Sequence, residues 1–355
     1  MDPIPIEIRP FDPHRATDDE FVALHACVSR LEQEQWPDDP PGTVDRTRRE
    51  KQGVAAYQVR RSWVGVRADT GAVIAIASAG YADVAENRHA AGFDVGVLPE
   101  YRRRGIASRL LARVVAFARE ADRRLLFTST LDRVPASEAF LRRLGARAGL
   151  TLRVSQLDLA EVDPALMRAW QERARQRAAG FRTGWWDGPY PEEALPDVVA
   201  MKEAVNLMPR GDLEMEDQHA TPETIRQEDA AMLARHTERW CLWVREPEAG
   251  RIAGYTEVFW SPDRPHVVWQ GDTAVFTEFQ NRGLGRLLKA MMVERLLRER
   301  PRAGWVRTWN SHDNAPMLKI NVEMGFRPYV NSTEWQVERE RVAAYLAARG
   351  GGAGE

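Results

Sequence analysis

The sequence predicts an α+β fold made twice: two tandem domains, each a mixed, mostly antiparallel sheet flanked by helices. Three observations lead there. The chain has 355 residues, and at roughly 100–200 residues per domain that length favours two separate cores. The stretch "LPEYRRRGIASRLLARVV", Leu98 to Val115, recurs as "TEFQNRGLGRLLKAMM", Thr277 to Met292, at a constant offset of 178 positions. Around both copies, alternating runs and amphipathic runs follow one another in the same order.

In the first half a strand ("IEIRPF") precedes a helix over about Asp18–Glu34, and the Pro/Asp segment "QWPDDPPGTV" reads as irregular. Two strands form a hairpin around "RADTGAVI", and the strand "AGFDVGVL" leads into a glycine turn and a long helix. A strand ("RLLFTST"), a short helix ("PASEAFLRRLG") and a closing strand ("TLRVSQLDL") complete the set. The second half repeats it: a strand near "GFRTGWW", a helix over about Pro191–Asn206, the acidic irregular segment "MPRGDLEMEDQHATPE", and the hairpin "CLWVREPEAGRIAGYTEVFW". The strand "VVWQGDTAVF", the second glycine turn with its helix, "GWVRTWN", "APMLKINVEMG" and "STEWQVE" follow. The helix "DPALMRAWQERARQRAA" reads as a connector, which puts the domains at 1–160 and 161–349, with 350–355 a disordered tail.

Composition excludes several function classes. Hydrophobic content of 44% and charged content of 29% are those of an ordinary globular protein. A net charge of −2 is a poor match to a nucleic-acid binder, which needs a basic face to displace counterions. The two cysteines, Cys27 and Cys241, stand alone, and the seven histidines contain no i, i+3 or i, i+4 pair, so neither disulfides nor a metal are expected. No run approaches the 18 apolar residues of a membrane span, and the N-terminus lacks an exported protein's leader pattern, so a cytoplasmic setting is expected.

The repeated turn is the strongest functional signal. Gln280-Asn281-Arg282-Gly283-Leu284-Gly285 follows a strand and runs into a helix near Arg286, as Arg102-Arg103-Arg104-Gly105-Ile106-Ala107 does upstream. In both copies the turn begins five positions after a Val, Val97 or Val275. Glycines permit backbone angles and close approaches that a Cβ forbids. The helix start adds unpaired N–H donors and a positive dipole end, which suits pyrophosphate. The spacing fits neither a Walker loop nor a dinucleotide fingerprint.

The pattern [Q/R]-x-x-G-x-[G/A] after a strand resembles the acyl-CoA loop of the GNAT acyltransferase superfamily, and the chain resembles two such domains in tandem. The resemblance implies transfer of an acetyl or longer acyl group from acyl-CoA to an amine of a small molecule, antibiotic or peptide, with no metal. An acyl carrier protein could replace CoA, and the chain could be monomer or dimer. It implies a CoA site at Ala274, Val275, Phe276, Gln280 to Gly285, Arg286, Asn310 and Asn314, mirrored by Val97, Arg102, Arg104, Gly105 and Ala107. Asn310 and Asn314 have only Thr130 and Val134 opposite them in the first half, so the second half is the expected catalytic one. The Tyr that protonates the thiolate in many such enzymes is replaced by Asn321, which could donate a hydrogen bond, and by Leu141 in the first copy. Glu257 and Asp272 are the candidate bases; the alternatives are a solvated strand face for Glu257 and a structural role for Asp272, whose counterpart is Asp94. The acids Asp212, Glu214, Glu216 and Asp217 are expected beside the acceptor cleft of the second half, and Trp260 and Trp309 could line a pocket there. The missing Tyr leaves a second reading open, a non-catalytic acyl-CoA-binding module.

Overall fold

A computed structural model describes residues 5–312 and 314–349. The expected tail lies outside the described residues. The chain divides into two compact units: Met1–Thr151 with Arg210–Glu216 and Ser332–Glu355, and Leu152–Pro209 with Asp217–Asn331. The single cut expected near residue 160 is therefore corrected to an interleaved division.

The first unit contains β1 (Ile6–Phe11), α1 (Asp18–Gln35), α2 (Val44–Gln52), β2 (Gln58–Arg67), β3 (Val73–Ala82), β4 (Ala90–Val97), α3 (Ile106–Glu120), β5 (Leu125–Leu131) and α4 (Pro135–Leu144). Its sheet runs β1-β2-β3-β4-β5, antiparallel except for β4 and β5. The sixth place is taken by the distal half of β12 (Arg327–Glu338), whose Ser332–Glu338 pair antiparallel with Leu131–Leu125. Trp335 on this half-strand is 1% exposed in the first core and donates through Nε1 to Thr130 Oγ1 at 2.9 Å. The chain end adds α10 (Arg339–Ala347), whose Val342 and Leu346 enter the same core.

The second unit is built the same way. It holds α5 (Pro164–Arg177), β7 (Arg182–Asp187), α6 (Leu195–Lys202), α7 (Pro222–Ala234), β8 (Glu238–Arg245), β9 (Ile252–Trp260), β10 (Val267–Val275), α8 (Leu284–Glu299), β11 (Trp305–Ser311) and α9 (Ala315–Met324). The sheet runs β7-β8-β9-β10-β11, with β10 and β11 parallel. Its sixth strand is the distal half of β6 (Arg147–Asp158), where Leu152–Asp158 pair with Ser311–Trp305. Each half of the sequence thus sends its closing strand to the other half's sheet.

Local signals explain most elements. Thr17 and Glu20 form a capping box that starts α1, and Thr221 with Thr224 does the same for α7, where Pro222 sits in the first turn. Helices α2, α7 and α10 were not expected from the sequence. The strongly polar "VDRTRREKQ" of α2 buries only Thr47 within the helix, so the periodic apolar signal is missing.

Candidate functional site

The two glycine turns adopt the same backbone. Arg103 and Asn281 have φ of 64° and 63°, and Gly105 and Gly283 follow at 78° and 83°. A left-handed non-glycine residue is uncommon, so its repetition two residues before a left-handed glycine marks one loop built twice. Neither α3 nor α8 has a side-chain cap at its start, a feature they share with α4, α6 and α10, whereas α1, α2, α5, α7 and α9 are capped. The first N–H groups of α3 and α8 therefore point out of the helix end without a side-chain acceptor, as an anion requires. The residues that open the turns brace the preceding strand: Arg102 Nε donates to Val97 O at 3.0 Å, and Gln280 Nε2 to Val275 O at 3.2 Å. Arg102 is itself fixed by a two-pronged ion pair with Glu34.

Beside each turn the sheet opens. Parallel pairing of β4 with β5 stops at Gly92 and Phe127, and that of β10 with β11 at Trp269 and Arg307. The turns, with Val97, Arg104 and Ala107 in one unit and Ala274, Phe276, Arg282, Leu284, Gly285 and Arg286 in the other, stand beyond these openings.

In the first unit the opening leads into a cavity of about 710 Å³. Its walls include Val95–Val97, Arg102, Arg103, Gly105–Ser108, Thr128–Leu131 and Val134. Leu24, Val28 and Leu31 of α1 add apolar wall, while Arg143 and Arg349 add cationic groups. Among the described residues Arg103 has no hydrogen bond or ion pair, and Arg104 meets only the Tyr101 ring at 5.9 Å. A Cβ added at Gly105 would meet nothing within 4 Å, so it would occupy open space in the turn. The cavity, the open helix start and the free guanidinium fit an elongated ligand with a phosphate end.

The second turn is more crowded. A Cβ at Gly283 would lie 3.8 Å from Ala174 of α5, the Arg282 guanidinium lies 5.7 Å from the Phe181 ring, and Arg286 is bound to Glu323 at 2.7 Å. Asn314 caps α9 through Met317 N at 3.3 Å. Asn321 is 1% exposed, and its Nδ2 donates to Asn310 Oδ1 at 2.7 Å. Asn310 thus engages one of the two amide N–H groups of Asn321, the residue expected to donate to a thiolate.

Glu257 is engaged within the chain as well. It is 1% exposed, accepts from Tyr190 Oη, and is 2.9 Å from Lys202 Nζ. Burial alone would raise its pKa, but Lys202, Arg239 and the Tyr190 hydrogen bond outweigh burial and hold the carboxyl below its usual range. A carboxylate so stabilised is a weak base. Asp272 stands 3.8 Å from the same ammonium, and burial raises its pKa. Lys202 thus brings an amine of the chain itself between the two expected bases. No sequence signal ties it to Glu257, 55 positions away.

One further core difference follows the repeat. Lys289, 2% exposed on α8, occupies the place of Leu111 on α3 and donates to Gln270 Oε1 at 2.7 Å. Burial lowers its pKa to about 7. Gln270 continues the polar network to Thr256 and Thr273, where β10 is bulged; in the first unit β4 has Gly92 there and pairs with β3 without a bulge.

The acidic segment is also displaced from its expected place. Asp212, Glu214 and Glu216 belong to the first unit. Gln336 Nε2 donates to Asp212 O, Glu214 pairs with Arg124 at 2.7 Å, and Glu216 Oε2 accepts from Asn87 N at 2.5 Å. Asp217 falls in the second unit. Trp260 donates to Pro265 O, and Trp309, 38% exposed, stacks on Trp269 at 5.8 Å. Among the described residues no group of three or more His, Cys, Asp or Glu could hold a metal, and no helix is long and apolar enough to cross a membrane.

Comparison with known proteins agrees with this duplicated architecture. The family model described as Acetyltransferase (GNAT) family matches twice, over residues 26–146 and 202–326. No curated protein sequence matches the chain. Among solved structures, a tandem GNAT protein from the clavulanic acid biosynthesis pathway is similar at 24% identity and a TM-score of 0.75, covering 94% of this chain and 99% of that one. A GCN5-related N-acetyltransferase from Sphaerobacter thermophilus is similar at 15% identity and a TM-score of 0.64, covering 94% and 96%. At these identities the likeness is one of fold.

Proposed function

The chain belongs to the GNAT acetyltransferase family, and on that premise we propose that it moves an acyl group from acyl-CoA to an amine, with the first unit as the working one. Membership supports acyl transfer in general. The observation that carries the finer reading is the first unit's cavity of about 710 Å³, which joins an uncapped helix start to the opening between β4 and β5.

The chain's own residues divide the work there. The N–H groups at the start of α3 and the Arg103 guanidinium bind pyrophosphate. The freed edge of β4, held in place through Arg102 and Val97 O, receives the pantetheine arm. The apolar wall from α1 excludes water from the thioester. Much of the acceleration comes from holding amine and thioester in line, for which oriented systems gain up to about 7–11 kcal/mol. This reading revises the assignment of catalysis to the second half, whose Asn310 and Asn321 hold one another and whose Glu257 is neutralised by Lys202.

Thiol release from acetyl-CoA, measured with a panel of primary amines, tests the activity. Amine-dependent release is expected. Acetyl-CoA binding without release from any amine would favour the non-catalytic module.

A further inference from the structure

A second cavity of about 430 Å³ lies in the first unit, on the other side of the strand opening. Ser78, Phe93, Asp94, Thr128 and Ser129 line both it and the larger cavity, so the two meet where β4 and β5 part. Resting on the reading above, we propose that this second cavity seats a cationic primary amine, and that Glu334 on the chain's last strand takes the amine's proton.

Glu334 lines the cavity from β12, in register with Ser129 of β5, and Ser332 Oγ donates to its Oε1 at 3.3 Å. The charged and titratable groups facing it are Asp94 from β4, Arg60 from β2, Glu86 before β4 and Tyr81 from β3. Lys51 on α2 acts on Asp94 from the larger cavity. Three carboxylates against one guanidinium favour a cation in the smaller cavity. Burial, assisted by Asp94, raises the Glu334 pKa, so its carboxylate is a better proton acceptor than an ordinary Glu. Ion-paired Glu257 has the opposite character. The cavity is completed by Met215, so residues from two distant stretches of the second half of the sequence build the first unit's acceptor site.

The Glu334 carboxylate takes one proton from the ammonium, and the neutral amine forms the N–C bond as the C–S bond breaks. The proton then shed by the amide nitrogen passes to the departing thiolate, and Glu334 returns its proton to water.

The test uses the full chain with acetyl-CoA, aliphatic diamines and an aniline, read by thiol release between about pH 6 and 9. Glu334→Gln is expected to lower kcat for the aliphatic amine at least tenfold, leave KM for acetyl-CoA unchanged, and flatten the acidic limb of the kcat/KM profile. The aniline, already neutral, should lose less, and Asp94→Asn should raise KM for the diamine. Unchanged kcat and pH profile in Glu334→Gln would overturn the proposal. If no amine is acylated, spermidine is titrated into the acetyl-CoA complex. Binding that Glu334→Gln and Asp94→Asn each weaken at least tenfold supports the site, and absent or unaltered binding overturns it. Failure of acetyl-CoA itself to bind would instead remove the donor reading on which the proposal rests.

Discussion

The two units share a turn and differ in what surrounds it. Around Gly105 there is open space, a cavity and an Arg103 without a partner among the described residues; around Gly283 stand Ala174, the Phe181 ring and an Arg286 already held by Glu323. The first unit has Leu111 and Gly92 where the second has Lys289 and Gln270. The first unit's carboxylates face a cavity, whereas Glu257 and Asp272 face Lys202. A phosphate-shaped turn is therefore only half of a donor site. The other half is space beside it, and a carboxylate such as Glu334 that is hydrogen-bonded to Ser332 rather than held by a lysine.

The largest expected effect breaks that comparison at Lys202. Lys202→Met leaves Glu257 buried without its ammonium; because Lys202 is 23% exposed and Arg239 and Tyr190 remain, the cost falls below the roughly 3–5 kcal/mol of a fully buried pair. Denaturant unfolding of the full chain is expected to show a destabilised transition, while thiol release by the remaining folded protein is kept. Unchanged stability would mean that the Lys202–Glu257 contact contributes little.

A smaller effect concerns Lys289. Its folded pKa of about 7 lies below the ordinary 10.5, so the unfolded state binds more protons between those values and stability rises with pH across that window. The penalty is full below about pH 7 and gone above about pH 10.5. Lys289→Leu, which copies Leu111, is expected to stabilise by about 2 kcal/mol near pH 6 once the lost Gln270 hydrogen bond is subtracted. The gain should vanish toward pH 10, as thermal melts at the two pH values would read. A gain independent of pH would show that the fold does not lower the lysine's pKa.

The smallest effect is at Thr130. Thr130→Ala leaves the Trp335 N–H without its acceptor and is expected to cost about 1–2 kcal/mol by thermal melt. Acetyl-CoA affinity should change less than threefold; a larger loss would place the Thr130 hydroxyl in contact with the donor.

Much of the fold was legible, because glycine spacing and strand alternation are local signals. The turns, most strands and the duplication follow from residues close in sequence. Strand exchange did not, since alternation in "TLRVSQLDL" and "STEWQVE" says which face is buried and nothing about which neighbour pairs with it. Glu257 was legible as a candidate base, but burial and an ammonium 55 residues upstream, neither visible in the sequence, decide its character. The acidic segment 210–216 reads as a loop near the second half's cleft, while its hydrogen bonds to Asn87 and Gln336 anchor it in the first unit. Helix α7 could have been read from the Thr221-Pro222 start and Thr224. The site's decisive feature, the cavity, has no sequence signature.

The central claim is that the first unit holds the donor. Isothermal titration of acetyl-CoA into the full chain and into Gly105→Val and Gly283→Val tests it most directly. A β-branched side chain at φ near +78° strains the turn and fills the open space at the helix start. Loss of two charge-assisted hydrogen bonds there corresponds to an affinity decrease of about a hundredfold or more. That loss is expected for Gly105→Val, with near-normal binding for Gly283→Val. Normal binding by Gly105→Val, with loss in Gly283→Val, would contradict the claim and return the donor to the second unit.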